Sequence, residues 1–359
     1  MNAVASARRR RAIVFSELLA PPFDEGFKNL ALALICELKR DSDVLGLTNF
    51  GADVPEHGIR KVDAPKHFLS SALCDAVRKF APDDIYYIPT ASHTLSSFLR
   101  ARVLKWYGGK ARVHFVVLQP RPLGGLARMV IPLVSPHKVW AQSPRSVALL
   151  GALGQDVGVM PSGVDMLRFQ PAAADQKAAL RRAYDIDEDA FVVLHVGHVK
   201  SKRNVELLCR VQEEIPGAQA VLVGSTSTEQ DGELAARITG RGVRLITDYI
   251  PGIQEMYQLA DCYLFPVLAE TGSIEIPLSM LESLACDVPV VTTRYGGMEQ
   301  QFPDSPTLRY ADDGDGLIEA VAAVKADPPT GMRVQVQPFS WRAVLGKSVL
   351  AADGGEVTP

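Results

Sequence analysis

Two stretches of this chain set phosphate-binding and hydroxyl-binding groups a few residues apart. The first is FVVLHVGHVKSKRNVELL, residues 191–208. An apolar strand ends at Gly197, and His198, Lys200, Lys202 and Arg203 follow within six residues. Cations at the C-terminal end of a strand suit a phosphate, and guanidinium binds phosphate oxygens bidentately. A solvated basic loop is the plain alternative. The second stretch is AETGSIEIPLSMLESLACDVPVVTTRYGG, residues 269–297. It reads as loop, helix, strand and Gly-rich loop. Pro277 fits the first turn of a helix, where a missing N–H costs nothing. Leu278, Met280, Leu281, Leu284 and Ala285 fall mostly on one face. The opening N–H groups, at Leu278 and Ser279, and the positive end of the helix dipole suit a phosphate. Glu282 follows roughly 7 Å further along, at 1.5 Å per residue. A carboxylate there repels phosphate but accepts hydrogen bonds from sugar hydroxyls. Together they suggest a nucleotide or a sugar phosphate. An ordinary amphipathic helix of an α/β protein is the competing reading.

These groups need a frame, and the rest of the chain supplies alternating strands and helices. RAIVFSELL, residues 11–19, is a first strand. A loop with Gly26 follows, then a helix over 29–39. Gly26 lets backbone approach a ligand, or simply makes a turn. No G-x-G-x-x-G follows, so a dinucleotide is not favoured. DSDVLGLTN is a second strand, 70–80 a helix, and DDIYYIPT a third strand. His93 stands in the loop after it, where a solvated side chain is the commoner outcome. Residues 95–112 form a helix with Arg100, Arg102, Lys105, Lys110 and Arg112, with Trp106 and no acid. It reads either as a membrane-surface element or as a packed helix with a basic outer face. VHFVVLQPRPLG is a buried strand running into Gln119-Pro120-Arg121. Gln119 can hydrogen-bond a sugar hydroxyl but cannot act as a base near neutral pH. Ser162-Gly163 marks a turn, and Asp165 can cap or brace it. The alternation then resumes through 191–325. Tyr249 can stack on a planar ligand or be half-buried. Residues 338–350 read as a final helix, with a loose tail at 354–359.

Composition narrows the classes. At 359 residues and 47% hydrophobic content, two domains with full cores are expected. No run of 18 apolar residues occurs, so no membrane span is expected, nor a signal peptide after Arg8–Arg11. The five cysteines are scattered and suggest reduced core residues in a cytoplasmic protein. Residues 1–172 carry 22 Lys and Arg against 14 Asp and Glu; residues 173–359 carry 16 against 27. The basic half points to an anionic partner, or the two halves attract each other.

PLSMLESLACDVPVVTT resembles the donor-site motif of the retaining GT-B glycosyltransferases that include sucrose synthase and the lipid-glycan mannosyltransferases (glycosyl transferases group 1). Glu282 matches the second Glu of that motif, which holds the nucleotide ribose. The first Glu falls at Ile274; Glu275, one residue later, or Glu270, four earlier, would replace it. PSGVDMLRFQP is similar to the family's inter-domain segment, through Gly163, Val164, Asp165, Arg168, Phe169 and Pro171. The family's two diphosphate-gripping cations align with His198 and Arg203, with Gly197 beside them and Lys202 adjacent. The resemblance further implies Gly26 against the donor diphosphate and Tyr249 at the base. It puts Gln119 where the family has an acceptor-side His, with His93 and Arg121 nearby.

The fold so implied is GT-B: two Rossmann-like, doubly wound parallel sheets facing a cleft. The domains would be 1–170 and 171–335, with 336–359 crossing back. The reaction implied is transfer of a sugar from a nucleotide-sugar, with retention, to the hydroxyl of a glycan or lipid-linked acceptor. Arg203, His198 and Glu275 would be catalytic. Gly26, Gly197, Lys202, Tyr249, Ile274, Leu278, Ser279 and Glu282 would bind the donor. His93, Gln119 and Arg121 would lie on the acceptor side. No metal and no cofactor are called for, nucleic acid is not a partner, and residues 95–112 would meet an anionic membrane from the cytoplasmic side. A phosphorolytic enzyme, an epimerase, or a catalytically silent nucleotide- or glycan-binding protein of the same fold are the alternatives.

Overall fold

The computed structural model describes residues 8–350 apart from Ala91, Pro120, Thr228, Glu270 and Thr271. Glu270 and the tail at 354–359 therefore lie outside the described residues. The chain forms two compact units: Pro161–Val344, and the residues up to Met160 together with those from Leu345.

The first unit runs β1 (Arg10–Leu18), α1 (Gly26–Leu38), β2 (Ser42–Phe50), β3 (Ile59–Lys61), α2 (Ser71–Phe80), β4 (Asp84–Tyr87), α3 (Leu95–Gly108), β5 (Arg112–Val117), α4 (Gly125–Val130), β6 (Lys138–Ala141), α5 (Pro144–Gly151) and β7 (Val157–Val159). Its seven strands stand in the order β3-β2-β1-β4-β5-β6-β7, and every pairing is parallel. A parallel sheet is covered on both faces, so its strands read as apolar runs. On one face Ile13, Phe15, Ile85, Tyr87, Val113 and Phe115 pack against Leu73 and Val77 of α2 and Phe98, Ala101 and Leu104 of α3. The order reverses between β1 and β4, so the loops after those two strands flank this sheet's crossover.

The second unit runs α6 (Ala174–Ala183), β8 (Phe191–Gly197), α7 (Leu207–Glu214), β9 (Ala218–Gly224), α8 (Gly232–Gly240), β10 (Arg244–Ile246), α9 (Gln254–Leu259), β11 (Cys262–Phe265), α10 (Leu278–Ala285), β12 (Val290–Thr293), α11 (Met298–Gln301), β13 (Leu308–Ala311), α12 (Gly314–Ala326) and α13 (Met332–Val336). The six strands are parallel in the order β10-β9-β8-β11-β12-β13. One face carries α9 and α10 through Met256, Tyr257, Met280, Leu281 and Leu284. The other carries α7, α8 and α12 through Leu208, Val211, Leu234, Ile238, Leu317 and Val321. The crossover falls between β8 and β11, the two strands whose following loops hold the phosphate-type residues.

Several local expectations are corrected. Helix α1 opens at Gly26 rather than residue 29, with Phe27 and Lys28 buried in its first turn. Strand β3 has three residues, too few for an alternating pattern, and α4 has no buried residue, so neither left a signal in the sequence. The final helix is broken into Trp341–Leu345 and a π-turn at Gly346–Leu350. Residues 161–169 pack with the second unit. The Val164 N–H donates to Phe339 O, and Arg333 donates to Met166 O, Phe169 O and Ala285 O. Cys36 is exposed and Cys74 half-buried, so only Cys209, Cys262 and Cys286 are core cysteines.

Candidate functional site

Strand β8 delivers the cations. After Gly197 a short turn, Ser201–Arg203, closes with Asn204 in the left-handed region, and this folds Arg203 back toward the strand end. Lys200 and Lys202 are exposed, and His198 and Arg203 are half-buried. Burial pushes the Arg203 guanidinium down from its ordinary pKa, and the Tyr263 and Tyr295 hydroxyls offset this in part. Among the described residues no carboxylate pairs with it. A sheltered cation with no counter-charge is costly unless an anion arrives. A Cβ on Gly197 would stand 3.1 Å from His195 Nε2 and 3.7 Å from Arg203 Nη1. Glycine there keeps the space beside the guanidinium open.

The loop between β11 and α10 forms the other side. At Ser273 it is held by Tyr295, whose hydroxyl accepts from the Ser273 N–H at 2.8 Å and donates to Ser273 O at 2.5 Å. Gly296 has φ +61°, and a Cβ there would fall 2.2 Å from Glu275 O. The Gly297 N–H donates to that same oxygen at 3.3 Å. Helix α10 then opens after Pro277, whose side chain offers no cap. The N-cap residue therefore leaves the first-turn N–H groups of Leu278 and Ser279 without a side-chain partner of its own. Ser279 is half-buried and lies near Tyr263, whose hydroxyl donates to Val196 O at 3.3 Å. Ile274 is half-buried, and Leu278 and Glu275 are buried.

One turn further on, Tyr257 donates its hydroxyl to Glu282 Oε2 at 2.7 Å. Burial nevertheless raises the Glu282 carboxyl to about 7, against the lowering effects of Tyr257 and Arg168. Arg168 donates to Pro251 O at 2.7 Å and to Gln254 Oε1 at 3.0 Å, anchoring the loop that carries Tyr249. Tyr249 itself is 48% exposed. Asp165 accepts from the Leu167 and Arg168 N–H groups at 3.0 and 3.1 Å, as a bracing residue would.

The second unit thus gathers Gly197, Arg203, Ser279 and Glu282 around the β8/β11 crossover. Nothing in the sequence marked Tyr257, Tyr263, Tyr295 or His195, which shape this site. They are apolar-looking positions whose polar atoms find partners tens of residues away. No three His, Cys, Asp or Glu side chains cluster to hold a metal ion among the described residues.

The first unit brings its own candidates together. His93 is fully buried, not solvated as expected. Its Nδ1 accepts from the Arg121 N–H at 3.2 Å and lies 3.4 Å from Gln119 O, while Arg121 donates to Gln119 Oε1 at 3.2 Å. So His93, Gln119 and Arg121 form one hydrogen-bonded group beside the ends of β4 and β5. Burial lowers the His93 pKa, which keeps the ring neutral. Gly26 opens α1 after the loop that follows β1.

Helix α3 is also corrected. Arg100 does not join an outer basic face. It donates to Glu17 Oε1 at 2.6 Å and lies over the Phe68 ring. Glu17 is itself buried and bonded to Tyr87 and the Thr90 N–H. Arg102, Trp106 and Lys110 remain outward. No helix of the described residues is long and apolar enough to cross a membrane.

Comparison with known proteins bears on this arrangement. Residues 190–327 match the family described as glycosyl transferases group 1. A D-inositol 3-phosphate glycosyltransferase of Kribbella flavida is 30% identical over 57% of this chain, a segment that spans about half, 52%, of that protein. A GDP-mannose-dependent monoacylated alpha-(1-6)-phosphatidylinositol monomannoside mannosyltransferase of Corynebacterium glutamicum is 24% identical over 67% of this chain and 72% of its own. Among solved structures, the Anabaena protein HepE in complex with UDP-glucose superposes with a TM-score of 0.75 at 16% identity, covering 96% of this chain and all of that one. Sucrose-phosphate synthase from Thermosynechococcus elongatus gives 0.71 at 17% identity, covering 94% and 97%. The chain therefore carries a glycosyl transferases group 1 domain at residues 190–327, within a protein of GT-B fold.

Proposed function

We propose that this protein transfers a sugar from a nucleotide-sugar to an acceptor hydroxyl, with retention at the anomeric carbon and without a metal or other cofactor. The observation that carries the reading is Arg203, a sheltered guanidinium at the β8/β11 crossover with no acid partner among the described residues. In this reading the diphosphate of the donor supplies the missing counter-charge. The first-turn N–H groups of α10 and the half-buried His198 add further donors. As the sugar–oxygen bond breaks, charge builds on the diphosphate, and these preorganised groups stabilise it. Glu282 accepts hydrogen bonds from the ribose hydroxyls, and Tyr249 is assigned to the base. Glu275 is assigned to the sugar end, in place of the expected residue at Ile274.

On the acceptor side, the group of His93, Gln119 and Arg121 would meet a glycan hydroxyl. With one neutral ring, an amide and a guanidinium, it binds and orients rather than deprotonates. The names of the relatives support an acceptor that is a polyol phosphate or a lipid-linked glycan. An anionic membrane face on the cytoplasmic side is consistent with the first unit. From residue 85 to residue 155 there are nine Lys and Arg and no acid. Trp106 is 64% exposed, and Leu126, Met129 and Leu133 are 71%, 75% and 79% exposed. Apolar groups among cations are the composition of a lipid-facing surface.

A thermal-shift panel of UDP, GDP, ADP and dTDP, with and without chelator, tests the reading. A true ligand at a hundredfold excess over its dissociation constant adds about 2.7 kcal/mol of stability. One nucleotide should stabilise wild type regardless of chelator, and Glu282→Ala much less. Stabilisation without any transfer to acceptors would favour a catalytically silent binding protein, and no response at all would overturn the donor reading.

A further inference from the structure

His195 lies at the same site. It is fully buried on β8, two residues before Gly197 and on the same face of the strand. Its ring is fixed. The Nδ1–H donates to Leu264 O on β11 at 2.8 Å, and the ring stacks beside Tyr263 and near Phe265. That bond settles the tautomer: the proton sits on Nδ1 and the lone pair on Nε2. Among the described residues Nε2 has no hydrogen-bond partner. Burial, reinforced by the charges of Arg203 and His198, holds the ring neutral down to about pH 4. Among the described residues, the result is a buried acceptor with nothing to accept from, beside a guanidinium with no carboxylate. Both border the place where a Gly197 Cβ would be.

We propose that His195 is the positioning residue for Arg203, its Nε2 accepting a guanidinium N–H when an anion draws Arg203 into place. A carboxylate at this position would fix Arg203 equally well but would cancel its charge. A neutral imidazole fixes the cation and leaves its charge for the phosphate. The unfilled acceptor in the free protein is then one half of a bond that closes on binding. This rests on the donor reading of the Arg203 site.

The test is a double-mutant cycle read by calorimetric titration with UDP and with GDP. His195→Phe keeps a stacking ring but removes the acceptor. It should weaken nucleotide binding about tenfold, the cost of one hydrogen bond to a charged group. His195→Gln, which restores an acceptor, should recover part of the loss. In an Arg203→Ala background, His195→Phe should change affinity less than twofold, because the bond it breaks is already absent. A merely structural role predicts full additivity. A second readout needs no variant: the Nε2 signal of His195 in histidine-labelled wild type should move to the hydrogen-bonded range on adding nucleotide. Additive losses with an unmoved Nε2 signal, in a protein that binds nucleotide, overturn the role of His195 alone. No binding of either nucleotide by wild type overturns the donor reading beneath it, and the proposal with it.

Discussion

Tyr257 and Glu282 meet at 2.7 Å, the phenol donating to Oε2 of a carboxyl that burial has raised to about 7. A Glu that is only half ionised at neutral pH is an unsettled feature in a folded domain. The phenol favours the carboxylate form, and the apolar surroundings oppose it more strongly.

The first prediction follows from the sign of that shift. Between the unfolded value of 4.5 and the folded value of about 7, the folded state binds more protons than the unfolded chain. Stability attributable to Glu282 therefore falls as pH rises through this window, and the cost is complete above it. Glu282→Gln should melt higher than wild type at pH 8 and close to it at pH 4.5. The gain should be about 2–4 °C for each kcal/mol recovered. The same variant should lose most of its response to nucleotide. Melting curves across pH, with and without nucleotide, check both halves. Equal melting of the two proteins at pH 8 would contradict the raised carboxyl.

Arg203→Ala removes the sheltered cation. Turnover should fall by roughly two to three powers of ten, the cost of one preorganised donor to a developing charge. The protein should stay folded, because among the described residues Arg203 makes no ion pair to lose. Near-normal turnover in a folded Arg203→Ala protein would remove Arg203 from the site.

Gly296→Ala tests the loop clamp. Its φ of +61° and the 2.2 Å approach to Glu275 O leave no room for a methyl group. The loop over 273–275 must shift, and the second unit should lose about 2 kcal/mol or more. Nucleotide stabilisation should weaken with it, although residue 296 offers no side chain to a ligand. Thermal melting and the nucleotide shift measure the two effects, and an unchanged melting temperature would refute the clamp.

The outer face of the first unit makes a separate prediction. Wild type should sediment with anionic vesicles and not with neutral ones, and less so as salt rises. Replacing Leu126, Met129 and Leu133 by Asp should abolish sedimentation while leaving the nucleotide shift intact. Equal binding to neutral vesicles would exclude the electrostatic half of this reading.

Much of the frame could be read in the chain because parallel strands are buried on both faces and appear as apolar runs. The runs at 191–197 and 290–293 were plain for this reason, and so was the α10 periodicity between them. Loops at strand ends stood out by their Gly and basic residues, which is how Gly197 and Arg203 were found. Partnerships across long sequence separations left no local mark. Arg100 looked like one more cation on a basic helix, but Glu17, 83 residues earlier, draws it inward. His93 looked like a loop histidine, but Gln119 and Arg121 meet its ring, 26 and 28 residues on. Tyr257 filled an apolar slot in its helix pattern, while its hydroxyl serves a carboxylate 25 residues on.

The segment that opens the second unit is bolted to both ends of α10. The Ser162 hydroxyl donates to Ile276 O at 2.6 Å, just before the helix, and Arg333 ties Met166 and Phe169 to Ala285 in its last turn. In mechanical terms, residues 162–169 and α10 make one stiff lever. A pull taken up at Pro161 reaches the carbonyl next to Pro277 through the Ser162 hydroxyl. The first turn of α10, with Leu278 and Ser279, turns with the chain that enters its unit.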